Sequence, residues 1–425
     1  MNAIELKKKF SQLWKDTFHD SDAYISLVMD NYFHPEYCLY EEANGELTGA
    51  LMGVPYEFGN EDNKISGLYL CGLATKPQYR SRGIMTRLLS AVNSKARKDG
   101  FAFTFLIPAD DGLRKYYRDR DYVNAFYRVI DNYTSLHNFD LEYEADLQLQ
   151  KEKVADMKRR YFSSLITREY NTSEPCGSQE TEKVVRMILD IQNRQLDLQI
   201  YHSEEDLHTI IAENRLSGGS MVVTSNSQGI VTAAAFIGKS EEELKIDIYK
   251  LYTTDLTSKF KLLSYIKEKY ADYGIRLYIS LVDMDRKALW SRTYGSYMGE
   301  APQVASISST ESVYSLAAHS KVYGMARVLN LYEILKFQAR QRHDLKYSIL
   351  AKGDEFDTYD RFDVKDGHIN IKELTGENLS PSQLAYVMSK RDIAEIVFRR
   401  RDTDNLVTEA FGIPSINGSI SLMLD

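Results

Sequence analysis

Cysteine is scarce in this chain: Cys38, Cys71 and Cys176 are scattered over 425 residues with no CxxC spacing. That argues against a disulfide framework or a zinc site and fits a reducing compartment. The eight histidines include no HExxH pairing, and no acidic loop has calcium-ligand spacing. The nearest, DRFDVKDG at 360–367, sets its aspartates three apart rather than two. It reads as strand–turn–strand with Asp366-Gly367 at the turn. No metal is expected, and no Ser/His/Asp or Cys/His set stands out. No apolar run approaches the ~18 residues of a membrane span. The N-terminal MNAIELKKKFSQLW is amphipathic and charged, without the apolar core of a signal peptide. The expectation is a soluble, cytoplasmic protein with no membrane partner. Basic residues are in deficit, 53 against 61 acidic, for a formal net charge of -8. A nucleic-acid binder usually shows the opposite balance, so no nucleic acid is expected as partner. Solubility is the simpler reading of the acidic balance; attraction of cationic substrates is the other.

What is present is a globular composition, 43% hydrophobic and 27% charged. The length exceeds one compact core, so two or three domains are expected. Phe10, Leu13 and Trp14, then Ile25, Val28, Met29, Tyr32 and Phe33, recur at helical spacing. YCLYEEANGELTGALMGV predicts a hairpin turning at Asn44-Gly45. ISGLYLCGLAT (65–75) predicts a strand, the stretch with Met85, Leu88, Leu89, Val92 and Ala96 a helix ended by Gly100, and FAFTFLIP (101–108) a buried strand. A similar order recurs: a hairpin at 221–237, the strand ELKIDIYKLYTT, a helix from Leu256 to Tyr273 ended by Gly274, and the strand RLYISLV (276–282). This predicts a diverged internal duplication. In the second copy, Thr253, Thr254, Asp255 and Leu256 stand where the first has an Arg/Gly loop. A third region begins near Met325 with a strand and helix, then strands around 346–350 and 368–374. A helix capped by Ser380 with Pro381 at its first position follows, with Leu384, Val387 and Met388 as its inner face. The end, SISLMLD, reads as a strand.

The stretch QYRSRGIMTRLL (78–89) places Arg80, Ser81, Arg82 and Gly83 between a strand and a helix. A helix N-terminus carries unpaired N–H groups and a positive dipole end. Backbone N–H groups of Arg80 to Met85, Ile84 among them, can converge on a diphosphate there. Gly83 lets the backbone approach closely, and Arg80 and Arg82 add charge-assisted bonds. On the residues alone, a plain strand–loop–helix turn with exposed arginines stands level with this anion site.

Residues 65–122 resemble the GNAT superfamily of acyl-CoA N-acyltransferases. The resemblance is carried by the strand ending LATKP, the loop RSRG and its helix, the strand FTFLIP, and the helix with YYRDRDY. It implies that the loop binds the pyrophosphate of acetyl-CoA. It also implies that Leu73, Ala74 and Thr75 hydrogen-bond the pantetheine arm and polarise the thioester carbonyl. Two departures stand out. Met85 occupies a position where many members have glycine or alanine, and YYRDRDY lacks the phenylalanine and glycine commonly found before Tyr122. Over nearly its full length the chain resembles the Eis-like acetyltransferases, with FHDSDAYI (18–25), RSRG and the strand-like end together carrying the match. That architecture implies an α/β (α+β) chain: two GNAT-type mixed-sheet units at 1–140 and 141–322, the second degenerate, and a sterol-carrier-protein-like α+β domain at 323–425.

Acetyl transfer to an amine needs a deprotonated amine, whose unperturbed pKa is ~10.4, a polarised carbonyl and a proton donor for the leaving thiolate. The resemblance implies that Tyr117 is that donor and the terminal carboxylate of Asp425 the base. Read on its own, a tyrosine is more often a packing residue, one of 30 here, and a terminal strand only a strand. The resemblance also implies that Asp20 stands at an acidic acceptor-pocket position of the family; a helix N-cap is its plain alternative. The expected function is acetyl transfer from acetyl-CoA to an amine of a cationic small molecule or peptide, in a homo-oligomer that the resemblance makes a hexamer. The rival functions are a non-catalytic module binding acyl-CoA or lipid, and a tandem-GNAT aminoacyltransferase.

Overall fold

The computed structural model describes residues 2–133, 137–138, 152–194, 198–280, 296–297, 321–398, 416 and 418–420. In chain order the elements are α1 (Ala3–Phe18), α2 (Asp22–Tyr32), β1 (Cys38–Ala43), β2 (Glu46–Asn60), β3 (Asn63–Thr75), α3 (Ile84–Lys98), β4 (Phe103–Leu106), α4 (Asp111–Arg118), β5 (Val123–Tyr133) and β6 (His137–Asn138). Then come α5 (Glu152–Ser164), β7 (Ile166–Tyr170), α6 (Ser178–Asn193), β8 (Leu198–Gln199), α7 (Glu204–Leu216), β9 (Ser220–Ser225), β10 (Val231–Ser240), β11 (Lys245–Thr253), α8 (Leu256–Lys269), β12 (Gly274–Ser280) and β13 (Ser296–Tyr297). The last are β14 (Lys321–Val328), α9 (Leu331–Gln341), β15 (Lys346–Lys352), β16 (Thr358–Lys365), β17 (His368–Thr375), α10 (Pro381–Leu384), α11 (Lys390–Val397) and β18 (Gly418–Ser419).

The chain forms two compact units. One comprises Met1–Tyr127, Leu196–Tyr201 and Val322–Ile420; the other comprises Arg128–Gln195, His202–Lys321 and Ser421–Asp425. In the first, β1, β2, β3, β4, β14 and the start of β5 lie side by side in that order. The β1–β2 hairpin turns at Asn44 and Gly45 (φ 53 and 82) and the β16–β17 hairpin at Asp366 and Gly367 (φ 52 and 79). Both turns need two left-handed residues, which is why Asn-Gly and Asp-Gly predict them. Helix α3 buries Leu88, Leu89, Val92 and Ala96 on this sheet. Helix α9 packs Leu331, Ile334 and Phe337 inward between β3 and the three-stranded sheet β15–β16–β17.

In the second unit, β7, β9, β10, β11 and β12 lie in sequence. Strand alternation divides its core in two. Val222, Ala233, Ala235, Ile237, Ile246 and Ile248 pack with Phe260, Leu263 and Ile266 of α8. Met221, Val223, Ala234 and Phe236 pack with Val184 and Ile188 of α6 and Leu207 and Ile210 of α7. The expected duplication is visible in the order of elements: α1-α2-β1-β2-β3-α3-β4 in one unit, α6-α7-β9-β10-β11-α8-β12 in the other. In both, the strand after the helix pairs parallel to the strand before it.

Two boundaries differ from expectation. Helix α8 ends at Lys269 rather than Tyr273. Tyr270 leaves the helix to donate its hydroxyl to Glu169 Oε1 at 2.7 Å, and Lys269 pairs with the same buried carboxylate at 2.9 Å. The helix after Ser380 is a single turn, and Leu384 is 39% exposed rather than inward. Met388 exchanges backbone hydrogen bonds with β15, from its N–H to Leu350 and to its C=O from Lys352, which holds the chain extended there.

Candidate active site

Strand β3 gains one residue over β2. Their register runs Gly49↔Thr75 and Ala50↔Ala74, then Met52↔Cys71. The extra residue is a bulge at Gly72, whose φ of +58 an L side chain rarely adopts. Only Gly67, Leu68 and Tyr69 pair with β4, at Phe103 to Phe105. Beyond Tyr69 the two parallel strands part, so Leu73, Ala74 and Thr75 run along an edge outside the β3–β4 ladder. Ala74 is buried and Leu73 and Thr75 half-buried.

The next turn carries the Arg/Gly loop. Lys76 N–H bonds Thr48 C=O at 3.0 Å, and Arg80 Nε bonds Thr75 C=O at 3.2 Å. Ser81 (φ 62) and Gly83 (φ 75) are both left-handed, and Gly83 is the N-cap of α3 without a side-chain acceptor. The first N–H groups of α3 therefore have no intrahelical partner. Arg80, Ser81, Arg82 and Gly83 are exposed, while Ile84 is buried under Gly49. Met85 packs into the apolar cluster behind the loop, so its bulk lies away from the N–H donors. Sequence reasoning missed the clamp that holds this loop. Arg87 donates Nη1 to Arg82 C=O at 3.0 Å, and Nε and Nη2 to the two Glu41 oxygens at 2.8 and 2.9 Å. The guanidinium holds the Glu41 carboxyl below its ordinary range. An Arg one helical turn past Gly83 was the available signal.

Three tyrosines converge behind α3. Tyr122 is fully buried, its hydroxyl 3.1 Å from Thr104 Oγ1 and 3.3 Å from Asn93 Oδ1. The Tyr116 hydroxyl lies 3.2 Å from Thr86 Oγ1. Tyr117 packs edge-on against both rings, at 5.4 and 5.8 Å. Among the described residues nothing hydrogen-bonds its hydroxyl. Burial raises its pKa above the ordinary value, Tyr122 and Tyr116 add to that, and Arg120 opposes it. Tyr117 is thus a protonated phenol whose oxygen is uncommitted.

Asp20 is no helix cap. Ser21 caps α2 by accepting the Tyr24 N–H at 3.2 Å, and Asp20 accepts the Trp14 Nε1–H at 2.8 Å. The Trp14 ring lies on Gly72: a Cβ there would meet it at 2.6 Å. The bulge, Trp14 and Asp20 form one contiguous group. Asp425 lies outside the described residues. Among the described residues that precede it in the chain, Gly418 pairs parallel with Phe126 of β5, and Ile420 is buried, its Cδ1 2.6 Å from where a Gly324 Cβ would be.

The corresponding loop of the second unit is closed by its own carboxylate. Asp255 caps α8, accepting from Ser258 N–H and Oγ, both at 2.8 Å. A negative side chain occupies the position where the first unit leaves N–H groups free. Also in that unit, Glu182, Glu204 and His208 come together, with His208 Nε2 3.2 Å from Glu182. Metal-motif reasoning missed this trio because α6 and α7 supply it jointly.

Residues 4–124 match the Acetyltransferase (GNAT) domain family. The whole chain is similar in fold to solved proteins that include the following three. A probable N-acyltransferase from Enterococcus faecalis has 12% identity and a TM-score of 0.65, with 98% of this chain and 96% of that one covered. A GCN5-related N-acetyltransferase from Kribbella flavida has 12% identity and a TM-score of 0.64, with 100% and 96% covered. Eis1 from Mycobacterium abscessus has 10% identity and a TM-score of 0.58, with 99% and 93% covered. No curated protein matches the chain significantly. These likenesses establish a mixed α/β fold with GNAT-like sheets, a fold that supports acyl transfer. Among the described residues, no helix is long and apolar enough to cross a membrane.

Proposed function

We propose that the chain is an acetyl-CoA-dependent N-acetyltransferase acting on an amine of a cationic small molecule or peptide, with the reaction in the first unit. One observation carries this reading. The bulged, parted strand β3 runs directly into a loop whose left-handed Ser81 and Gly83 leave the α3 N–H groups open, and the apolar cluster that α3 joins holds the uncommitted phenol of Tyr117.

The residues present fit acetyl-CoA, which would supply the activated acetyl group. Arg80 to Met85 offer N–H groups and two guanidinium groups to a diphosphate. Leu73 to Thr75 offer a free strand edge to the amide-bearing arm, and a backbone N–H there can polarise the thioester carbonyl. Asp20, held by Trp14 over the bulge, attracts the cationic acceptor. Asp425 accepts the amine proton, directly or through a water, and Tyr117 hands its proton to the departing sulfur. We further propose three domains, at 1–140, 141–322 and 323–425, the last of sterol-carrier-protein type, and a cytoplasmic homo-oligomer, a hexamer.

The test is free-thiol release from acetyl-CoA on adding a polyamine, an aminoglycoside or a lysine peptide. No release with any of the three, in a protein that binds coenzyme A, overturns the enzymatic reading in favour of a binding module. A few glycines added after Asp425 should lower turnover by about tenfold or more, the scale of general-base losses. Full activity would place the base elsewhere.

A further inference from the structure

The two departures in YYRDRDY have a structural account. Asp121 adopts φ 64, the left-handed conformation that glycine takes most easily, and pairs with Arg327 at 3.3 Å. Arg120 does more. Its guanidinium carbon sits 3.4 Å from the centre of the Tyr116 ring. Its Nε and Nη2 donate to Thr86 Oγ1 at 3.2 and 2.8 Å, and its Nη1 to Tyr116 C=O at 2.6 Å. Thr86 lies in the first turn of α3, directly after the open loop, and Tyr116 packs edge-on against Tyr117. A stacked, triply bonded guanidinium loses little entropy when charge develops beside it, and it cannot be deprotonated.

We propose that Arg120 is a positioning residue for acyl transfer: a fixed cation that locks Tyr116 and Tyr117 against the first turn of α3 and stabilises the negative charge left on Tyr117 as it gives up its proton. This rests on the acetyltransferase reading above and adds to it a residue that touches neither substrate. In the step concerned, the amine nitrogen bonds to the thioester carbonyl carbon and the carbon–sulfur bond breaks. The sulfur takes the Tyr117 proton. The amine's proton leaves to the base and returns to Tyr117 through solvent, so the products are the amide and the free thiol. Of the groups acting on Tyr117, its neighbours Tyr122, Tyr116 and Asp110 disfavour the phenolate and Arg120 favours it. Burial is the larger influence and works in the same direction as those neighbours, which leaves Arg120 as the cation that opposes them.

The experiment compares the full-length chain with Arg120→Phe, which keeps an aromatic-compatible packing surface and removes the charge, and with Arg120→Lys, which keeps the charge. Arg120→Phe should lower kcat by about tenfold, a fraction of the usual general-acid contribution, with KM for acetyl-CoA within about twofold. Arg120→Lys should recover most of the loss. Placed in Tyr117→Phe, Arg120→Phe should cost nothing further, because the residue it acts through is gone. A purely structural role would cost equally in both backgrounds, and that result overturns the proposal, as does an Arg120→Lys variant that recovers none of the lost turnover. Should Arg120→Phe fail to fold, Arg120→Met against Arg120→Lys gives the same comparison. A wild type that binds coenzyme A and turns over beside an equally fast Arg120→Phe overturns this inference alone. A wild type without turnover overturns the enzyme reading and this one with it.

Discussion

Trp14 donates its indole N–H to Asp20 at 2.8 Å while its ring covers the left-handed Gly72 of β3. A carboxylate from the α1–α2 junction is thereby tied to the bulge where strand β3 departs from β2 register. The arrangement couples an acidic group to the strand edge, so a change at Gly72 should be felt at both. Gly72→Ala meets the Trp14 ring and must also hold φ +58. The expected cost is about 1–3 kcal/mol of stability. A rise in KM for both acetyl-CoA and the amine should accompany it. Denaturant unfolding with steady-state kinetics checks this; a rise in one KM alone would separate Asp20 from the bulge.

The loop carries a prediction about stoichiometry. Arg80 and Arg82 are exposed beside open N–H groups, whereas Asp255 fills the equivalent helix end of the second unit. Coenzyme A should bind once per chain. Arg80→Ala with Arg82→Ala should weaken it by about tenfold or more, given the strength of charge-assisted phosphate contacts, while leaving the melting temperature nearly unchanged. Calorimetric titration reads both numbers. Two sites per chain, or an unweakened double variant, would contradict the assignment.

How much of this was legible in the sequence varies with the range of the interaction that decides it. Hairpins set by Asn44-Gly45 and Asp366-Gly367, helix faces such as Leu88, Leu89 and Val92, and the repeated order of elements are local or periodic signals, and they hold. The loop at 80–85 was visible because its chemistry is contiguous. The bulge was not, since Gly72 reads as one strand residue until its pairing with β2 is known. Asp20 looked equally like a cap because only the fold shows Ser21 taking that place and Trp14 reaching back. The end of α8 was misplaced because Glu169, about a hundred residues earlier, draws Tyr270 out of the helix.

Alkaline stability follows from three buried phenols. Burial raises the pKa of Tyr117, Tyr122 and Tyr347 in the folded chain. In the unfolded chain each returns to about 10. Below that value all three are neutral in both states and the folded state is unpenalised. Above it the unfolded chain releases protons that the folded chain keeps, so stability falls as pH rises. Unfolding free energy should be flat with respect to these groups from neutral pH to about 9 and should drop steeply beyond about 10. Tyr347→Phe should flatten part of that drop. A stability that holds level to pH 11 would mean the phenols ionise in place.

The final prediction separates binding from chemistry at Tyr117. Its ring fills the cluster behind α3, and its hydroxyl has no hydrogen-bond partner among the described residues. Removing that oxygen leaves the packing intact and strands no buried donor or acceptor, so Tyr117→Phe should change stability by less than about 1 kcal/mol. Tyr122→Phe is the control. Its hydroxyl lies 3.1 Å from Thr104 Oγ1 and 3.3 Å from Asn93 Oδ1, and losing it should cost about 1–3 kcal/mol through unpaired buried partners. Activity should show the reverse order. Tyr117→Phe should lower kcat by about a hundredfold, within the range for a general acid, with coenzyme A affinity nearly intact. Tyr122→Phe should keep most of its turnover at temperatures where it remains folded. Kinetics and thermal melts on the two variants side by side decide it. If Tyr122→Phe proves the slower enzyme and the stable one, the proton donor is the buried phenol and not its neighbour.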